Sequence, residues 1–383
     1  MVDPKVNPAG DLPILIIGAG PGGLALAQGL RKRNIKYRIF ERDIDSEARG
    51  QGWAIAVHWV IPDLLRTIPD DLPPIETISH LYDLGLDSEA VFFDGVTCEE
   101  RIRHGPQSAG TFLRADRLKL REWLSGGIDI EWNKRFEGFT EGEGSVTARF
   151  ADGSTAEGRM LIGADGAMSK VRAQLLGPEK AATTFLPMDV YIGNVSLTKA
   201  QYEQQFAEFA RSCYAAETKS VFLFVGLHTV APDHENADYY WMVMRHHSDM
   251  ECESGHSTAG WSNERLYEAA LHWVNGLHPK FQEIVRLSSL ERMVQVPSFM
   301  DTWSPPENGF STGRVTLLGD AVHKLTPFYG QGVNHALQDC VDFCQMLDSG
   351  GDVQDVIKQY EKKVIPRGRE AVRATTEAAL HWK

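Results

Sequence analysis

A chain of 383 residues with 43% apolar and 24% charged residues has the composition of a folded globular protein, which excludes disordered and collagen-like chains. Its length suits two closely packed domains whose core needs no disulfide or metal. With 39 basic against 52 acidic residues the formal charge is −13, which argues against nucleic acid and anionic membrane as partners.

The first apolar stretch, Leu12–Ile17, follows Asp3 and Lys5 and runs into glycines and Pro21. It lacks a signal-peptide cleavage pattern and reads as a buried strand. Gly18–Gly23 forms a turn, Leu24–Leu30 a helix ending near Asn34, and Lys36–Phe40 a second strand before Glu41. Together these make a βαβ unit. Ile128–Trp132, Val146–Phe150 and Thr155–Ile162 read as strands, with Asp152-Gly153 as a hairpin turn and Glu141–Ser145 as a polar turn. Aromatic-rich strands follow at Val190–Val195, Val221–Leu227 and Tyr239–Met244, interrupted by a helix over about Lys199–Arg211. Helices are expected at Glu264–Val274 and Pro279–Leu287, an extended piece at Met293–Val296, and a strand at Arg314–Leu318. A helix over about Asn334–Leu347 comes next, and the last thirty residues read as one or two surface helices. No run of about 18 apolar residues suggests a membrane span.

Three loops carry chemistry. Gly18-Ala19-Gly20-Pro21-Gly22-Gly23 matches G-x-G-x-x-G between a strand and a helix, where unpaired N–H groups favour a pyrophosphate. Glu41, eighteen residues beyond Gly23 at a strand end, suits an adenosine ribose and would repel a 2′-phosphate. This favours FAD or NAD over NADP at that site. The second loop, Gly163-Ala164-Asp165-Gly166, follows a strand and leads through Ser169 to Arg172. The third joins Gly319-Asp320 and His323 to Pro327 and to Gly330-Gln331-Gly332-Val333-Asn334, a second helix start facing an anion.

In this order and spacing the loops resemble the GxGxxG, DG and GD motifs of FAD-dependent (group A) flavoprotein monooxygenases of the para-hydroxybenzoate hydroxylase fold. The chain looks most like the short fungal or bacterial branch acting on natural products. The resemblance covers about residues 12–60 and 155–345. It implies an α/β fold: a Rossmann-like FAD-binding domain, with parallel sheet and β-meander, interrupted by a mixed-sheet α+β substrate domain. The expected boundaries are 1–75, 106–180 and 298–350 for FAD binding, 76–105 and 181–297 for substrate, and 351–383 for C-terminal helices.

Carried over by position, the resemblance places Gly18, Gly20 and Gly23 at the pyrophosphate, with Glu41 and its neighbour Arg42 at the adenosine. Arg49, Gly50, Gln51 and Gly52 take the place of a flavin-contacting loop. Arg114 takes that of an arginine near the FAD phosphates, with Arg117 and Arg121 close enough to compete for the role. Asp165 is shared between FAD and nicotinamide binding, Asp320 binds the ribityl chain, and Pro327, Gly330, Gly332, Val333 and Asn334 lie beside the flavin ring. The resemblance further implies NAD(P)H as a transient co-substrate and a flavin C4a-hydroperoxide, formed with dioxygen, that would hydroxylate or epoxidise an aromatic or polyketide-like molecule.

Trp53, His58 and Trp59 follow the flavin-contacting loop and are candidates for substrate contact. Phe222 with Phe224, and Tyr239 with Trp241, alternate onto common strand faces and can wall an apolar pocket, although each also suits ordinary sheet core. For assistance at a phenol the candidates are His58, Tyr191, His228 and Arg245, with no basis for choosing among them. The five cysteines (Cys98, Cys213, Cys252, Cys340, Cys344), an odd number without a CxxC pair, fit a reduced, cytoplasmic protein. They also disfavour disulfide reductases. No second GxGxxG, metal-ligand cluster or G-x-S-x-G elbow occurs. The alternatives are a flavin oxidase, reductase or halogenase on the same fold, or a non-catalytic dinucleotide-binding protein. The halogenase Trp-x-Trp-x-Ile-Pro signature is absent.

Overall fold

The computed structural model describes residues 12–48, 54–105, 112–246, 258, 260–295, 300–310 and 313–381. A wholly parallel five-stranded sheet runs in the order Val315–Leu317, Met160–Gly163, Ile14–Ile17, Tyr37–Phe40, Ile130–Glu131. Its central strand is apolar at every position and buried on both faces, as a parallel sheet covered by helices requires. The first helix, Pro21–Lys32, starts with proline, whose missing N–H costs nothing there. It ends as the sequence suggests. Asn34 takes the left-handed conformation (φ 53°), and the Asn34 and Ile35 amides donate to Arg31 and Leu30 carbonyls at 3.1 and 3.0 Å.

The run 155–162 is not one strand. Thr155–Gly158 alternates exposed and buried and joins an antiparallel meander with Val146–Phe150 and Phe136–Glu141. Met160–Gly163 is buried throughout and enters the parallel sheet, so the chain changes sheets at Arg159.

The second large sheet has seven strands: Met293–Val294, Met188–Thr198, Asn236–His246, Phe222–Val230, Cys213–Glu217, Ala90–Asp94, Glu100–His104. Three of these were not expected from the sequence. Cys213–Glu217 is alanine-rich, Ala90–Asp94 is short, and Glu100–His104 is exposed along its whole length, an edge protected by charge. One face packs under helices Asn263–Val274 and Pro279–Arg286. The other carries Phe222, Tyr240, Met242 and Met244 and meets Phe328 and Ala379.

The C-terminal stretch is a single helix, Val353–Leu380, and it is not confined to the surface. Tyr360 and Val364 are fully buried, and the Tyr360 hydroxyl donates to the Leu317 carbonyl at 2.9 Å. The long helix Gly332–Asp348 lies between this helix and the first one. Its approach to the first helix is close: a Cβ on Gly29 would stand 2.5 Å from Cys344 Sγ. Cys340 and Cys344 are thus packing thiols. Among the described residues no helix is long and apolar enough to cross a membrane.

Parity along Asn236–His246 corrects one expectation. Tyr239 and Trp241 do share a face, but it is the helix-covered one, away from Phe222 and Phe224. Trp241 is fully buried and its indole N–H donates to Ser288 Oγ at 2.6 Å. Its ring lies over Gly193 on the paired strand, where a Cβ would stand 2.4 Å from a ring carbon. We expect Gly193→Ala to cost about 1–3 kcal/mol through overpacking. The measurement is the denaturant midpoint, and an unchanged midpoint would contradict this packing.

Candidate functional site

The three glycines of the first loop serve different purposes. Gly18 has φ +110°, and a Cβ on it would lie 2.4 Å from the Ala164 carbonyl of the second loop. A Cβ on Gly23 would lie 2.1 Å from the Gly18 carbonyl, which is why helix and strand can pack so closely there. A Cβ on Gly20 would meet nothing within 4 Å, leaving backbone open beside the helix start. Glu41 is buried at the strand end and accepts from the Ala19 amide at 2.9 Å and the Asp43 amide at 3.2 Å. Arg121 donates to the Ala19 carbonyl at 3.1 Å and stands 3.8 Å from both Glu41 and Asp43. Arg42 is exposed next to them.

The second and third loops are joined through one guanidinium. Arg172, 2% exposed, donates to the Ala167 carbonyl at 2.6 Å and to the Asp320 and Ala321 carbonyls at 3.2 Å each. Its plane sits 4.5 Å from the Trp303 ring centre. Asp165 accepts from Ser169 Oγ at 2.5 Å and from the Lys170 and Val171 amides at 2.7 and 3.2 Å, so it shapes the loop after it. Asp320 remains exposed, yet the protein crowding it pushes its carboxyl above the usual range, against the pull of His323, Arg117 and Arg172. Below it, buried Asp339 accepts from the Gly319 amide and from His323 Nε2, both at 2.8 Å, and from Arg367 Nη2 at 2.5 Å. Arg367 also pairs with Asp342.

Tyr329 and Gly330 both have positive φ, 68° and 60°, in the turn that leads from Pro327 to the long helix. A side chain at Gly332 would meet nothing within 4 Å. Asn334 is fully buried and bridges to the strand Ala54–Val57: its Nδ2 donates to the Ala56 carbonyl and its Oδ1 accepts from the His58 amide, both at 2.8 Å. Val333 is half-buried beside it. Trp59, 40% exposed, meets His335 edge-on at 5.4 Å. Arg49, Gly50, Gln51, Gly52 and Trp53 lie outside the described residues.

On the open face of the seven-stranded sheet, Phe222 packs 5.3 Å from Phe328 and Phe224 packs 5.9 Å from Tyr240. His228 lies at the bulge between Leu227 and Thr229 and acts electrostatically on His80, and His58 sits beside Asn334. Tyr191 and Arg245 do not reach this face. Tyr191 belongs to the helix-covered core, where burial lifts its hydroxyl to about 12. Arg245 pairs with buried Asp189 at 2.7 Å and lies 4.4 Å from the Trp273 ring centre.

Arg114 lies on the strand Leu113–Asp116. It pairs across to Ala56, is 6% exposed, and directs its guanidinium to the Tyr240 hydroxyl and over Phe224 at 5.4 Å. Arg121 reaches the Ala19 carbonyl of the first loop, and the charge of Arg117 acts on Asp320. The sequence reading assigned no role to Asp339, Arg367 or Tyr240. The signal for Asp339 was present: buried Asn334, Asp339 and Asp342 interrupt the apolar side of one helix.

The open backbone at Gly20 and Gly332, and Asp320 exposed above a buried ion network, fit a dinucleotide whose phosphates meet the first helix start and whose far end reaches the second. We expect Gly18→Ala and Gly23→Ala to lower thermal stability in the protein without cofactor. Gly20→Val should leave that stability nearly unchanged and cut FAD affinity at least tenfold, read by flavin fluorescence. Equal behaviour of all three would contradict the division of roles.

His323 titrates above its ordinary value because Asp339, bonded to it, outweighs burial. Its stabilisation is therefore complete below about pH 6.5 and lost as pH rises through the higher folded-state value. Unfolding free energy should fall as pH rises from about 6.5 to that folded-state value and level off above it, and His323→Gln should flatten the slope in urea titrations across pH 6–9.

A family model described as FAD binding domain matches residues 118–375, and one described as NAD(P)-binding Rossmann-like domain matches residues 16–46. The chain is 32% identical to FAD-dependent monooxygenase thnD of Trichoderma harzianum, over 95% of this chain and 92% of that protein. It is 30% identical to FAD-dependent monooxygenase phnB of Penicillium herquei, over 95% and 89%. A solved structure from Photorhabdus luminescens subsp. laumondii, described as an FAD containing monooxygenase, superposes with a TM-score of 0.77 at 26% identity. That likeness covers 97% of this chain and 100% of the other. With motif loops, fold and relatives in agreement, the chain belongs to the FAD-dependent (group A) flavoprotein monooxygenases, oxidoreductases that bind FAD on the para-hydroxybenzoate hydroxylase fold.

Proposed function

We propose that the protein consumes NAD(P)H and O2 to hydroxylate or epoxidise an aromatic or polyketide-like small molecule. The observation that carries this reading is the apolar sheet face of Phe222, Phe224, Tyr240 and Met242, set against Phe328 beside the second helix start. Bound FAD supplies electron transfer and oxygen activation, and the protein supplies position and dryness.

The residues divide accordingly. The Gly18–Gly23 turn and Glu41 hold the adenosine diphosphate end, Asp320 the ribityl chain, and the amides opening the helix at Gly332 favour negative charge on the reduced ring. Phe222, Phe224, Met242 and Phe328 exclude water from the reacting carbon. His58 and His228 are the titratable candidates placed near this face. No second dinucleotide-binding turn follows the first, so the nicotinamide meets the flavin at a transient site. The positive-φ turn at Tyr329 and Gly330 is suited to gate that encounter.

The purified protein should be yellow, with one FAD per chain released on denaturation. NAD(P)H oxidation should be slow alone and at least about tenfold faster with a true substrate, a coupling of roughly 1.4 kcal/mol. Product-resolved mass spectrometry with labelled dioxygen is the check. Turnover that yields only hydrogen peroxide would replace this reading with an oxidase.

A further inference from the structure

Other deep-lying cations among the described residues are satisfied by acceptors: buried Arg172 donates to four backbone carbonyls, and three half-buried cations have carboxylates. Arg245 has Asp189, Arg367 has Asp339 and Asp342, and Lys324 has Asp301. Arg114 has none among the described residues. Its recorded contacts are the Tyr240 hydroxyl and the Phe224 ring, and its buried Nε–H has no acceptor. Beside it, buried His80 has both ring nitrogens without a partner. Burial keeps the His80 imidazole neutral, and the charges of Arg114, His228 and Lys119 act in the same direction. In a chain of net charge −13 this is a patch of donors and positive charge at the edge of the apolar sheet face.

Burying a guanidinium without a counterion is unfavourable by several kcal/mol after relaxation. Tyr240 relieves only part of this, because the hydroxyl that accepts from Arg114, while donating to the Ala54 carbonyl at 3.3 Å, carries no charge. The remaining donors suit a planar oxyanion, which a guanidinium fork binds with direction as well as charge.

We propose that Arg114 is the specificity-determining residue of the substrate face, and that the substrate presents to it an oxyanion carried on an aromatic ring, a carboxylate or an ionised phenol. The proposal rests on reading that face as the substrate site. It moves Arg114 from the FAD phosphates to the substrate.

The test uses the FAD-loaded enzyme and follows the flavin absorbance change during titration with benzoate, pentafluorophenolate and neutral benzamide. The parent should bind at least one of the two anions tenfold or more tighter than benzamide. The better anion identifies which oxyanion is read. Arg114→Met should keep its FAD, lose the preference, and melt no lower than the parent, since it removes a buried charge. Absence of anion preference in the parent, or its persistence in Arg114→Met, overturns the proposal. So does a melting temperature several degrees lower, which would make the Tyr240 contact structural. Loss of FAD from Arg114→Met would return the residue to the phosphates. NAD(P)H-dependent oxygenation, measured on the same parent sample, tests the reaction separately.

Discussion

The Arg172 guanidinium is the point on which the cofactor side of this protein depends. Two loops separated by some 150 residues of sequence, 163–169 and 319–323, present their carbonyls to one buried cation that stacks on Trp303. A guanidinium can satisfy several carbonyls in one plane, which an ammonium cannot. Because the third loop is set by Arg172 from one side and by Asp339 from the other, Asp320 is held in place by its backbone. Its carboxylate is thereby left for other work.

The seven-stranded sheet shows how one strand serves two purposes. Alternate residues of Asn236–His246 build a helix-covered core through Tyr239, Trp241 and Val243, and an apolar wall through Tyr240, Met242 and Met244. The core side is anchored by specific polar contacts, such as Trp241 to Ser288 and Arg245 to Asp189. The wall side is built from thioethers and aromatic rings, which adapt to varied shapes.

The motif loops were legible in the sequence because each rests on a local constraint: a glycine where backbone must approach, an acid at a strand end, a helix start. The Schellman end at Asn34 is of the same kind. What was not legible depends on parity and pairing. Tyr239 through Met244 is apolar at every position, so nothing in the pattern says which alternate set faces the flavin side. Three arginines at 114, 117 and 121 are chemically alike, and only the pairing of Arg114 with Ala56 decides where its head goes. The edge strand Glu100–His104 has no apolar face at all, so periodicity could not find it. The expected surface character of the C-terminal helix failed for a related reason. Its buried side, from Val356 and Ile357 through Tyr360, Val364 and Ile365 to Val372, also takes in Glu361, Gly368 and Thr375, which breaks the apolar pattern.

The close approach of the first and long helices, set by Gly29 against Cys344, has a bearing on how a cofactor is retained. The contact continues back to the helix starts, where a Cβ on Gly22 would stand 3.4 Å from the Ala336 methyl, so two anion-facing termini belong to one rigid frame. A ligand long enough to touch both is held as a chelate: once one end is bound, the other rebinds at a high effective concentration instead of escaping. Affinity then depends on the spacing of the frame as much as on any contact. A small wedge between the helices, far from every phosphate, would loosen both grips at once.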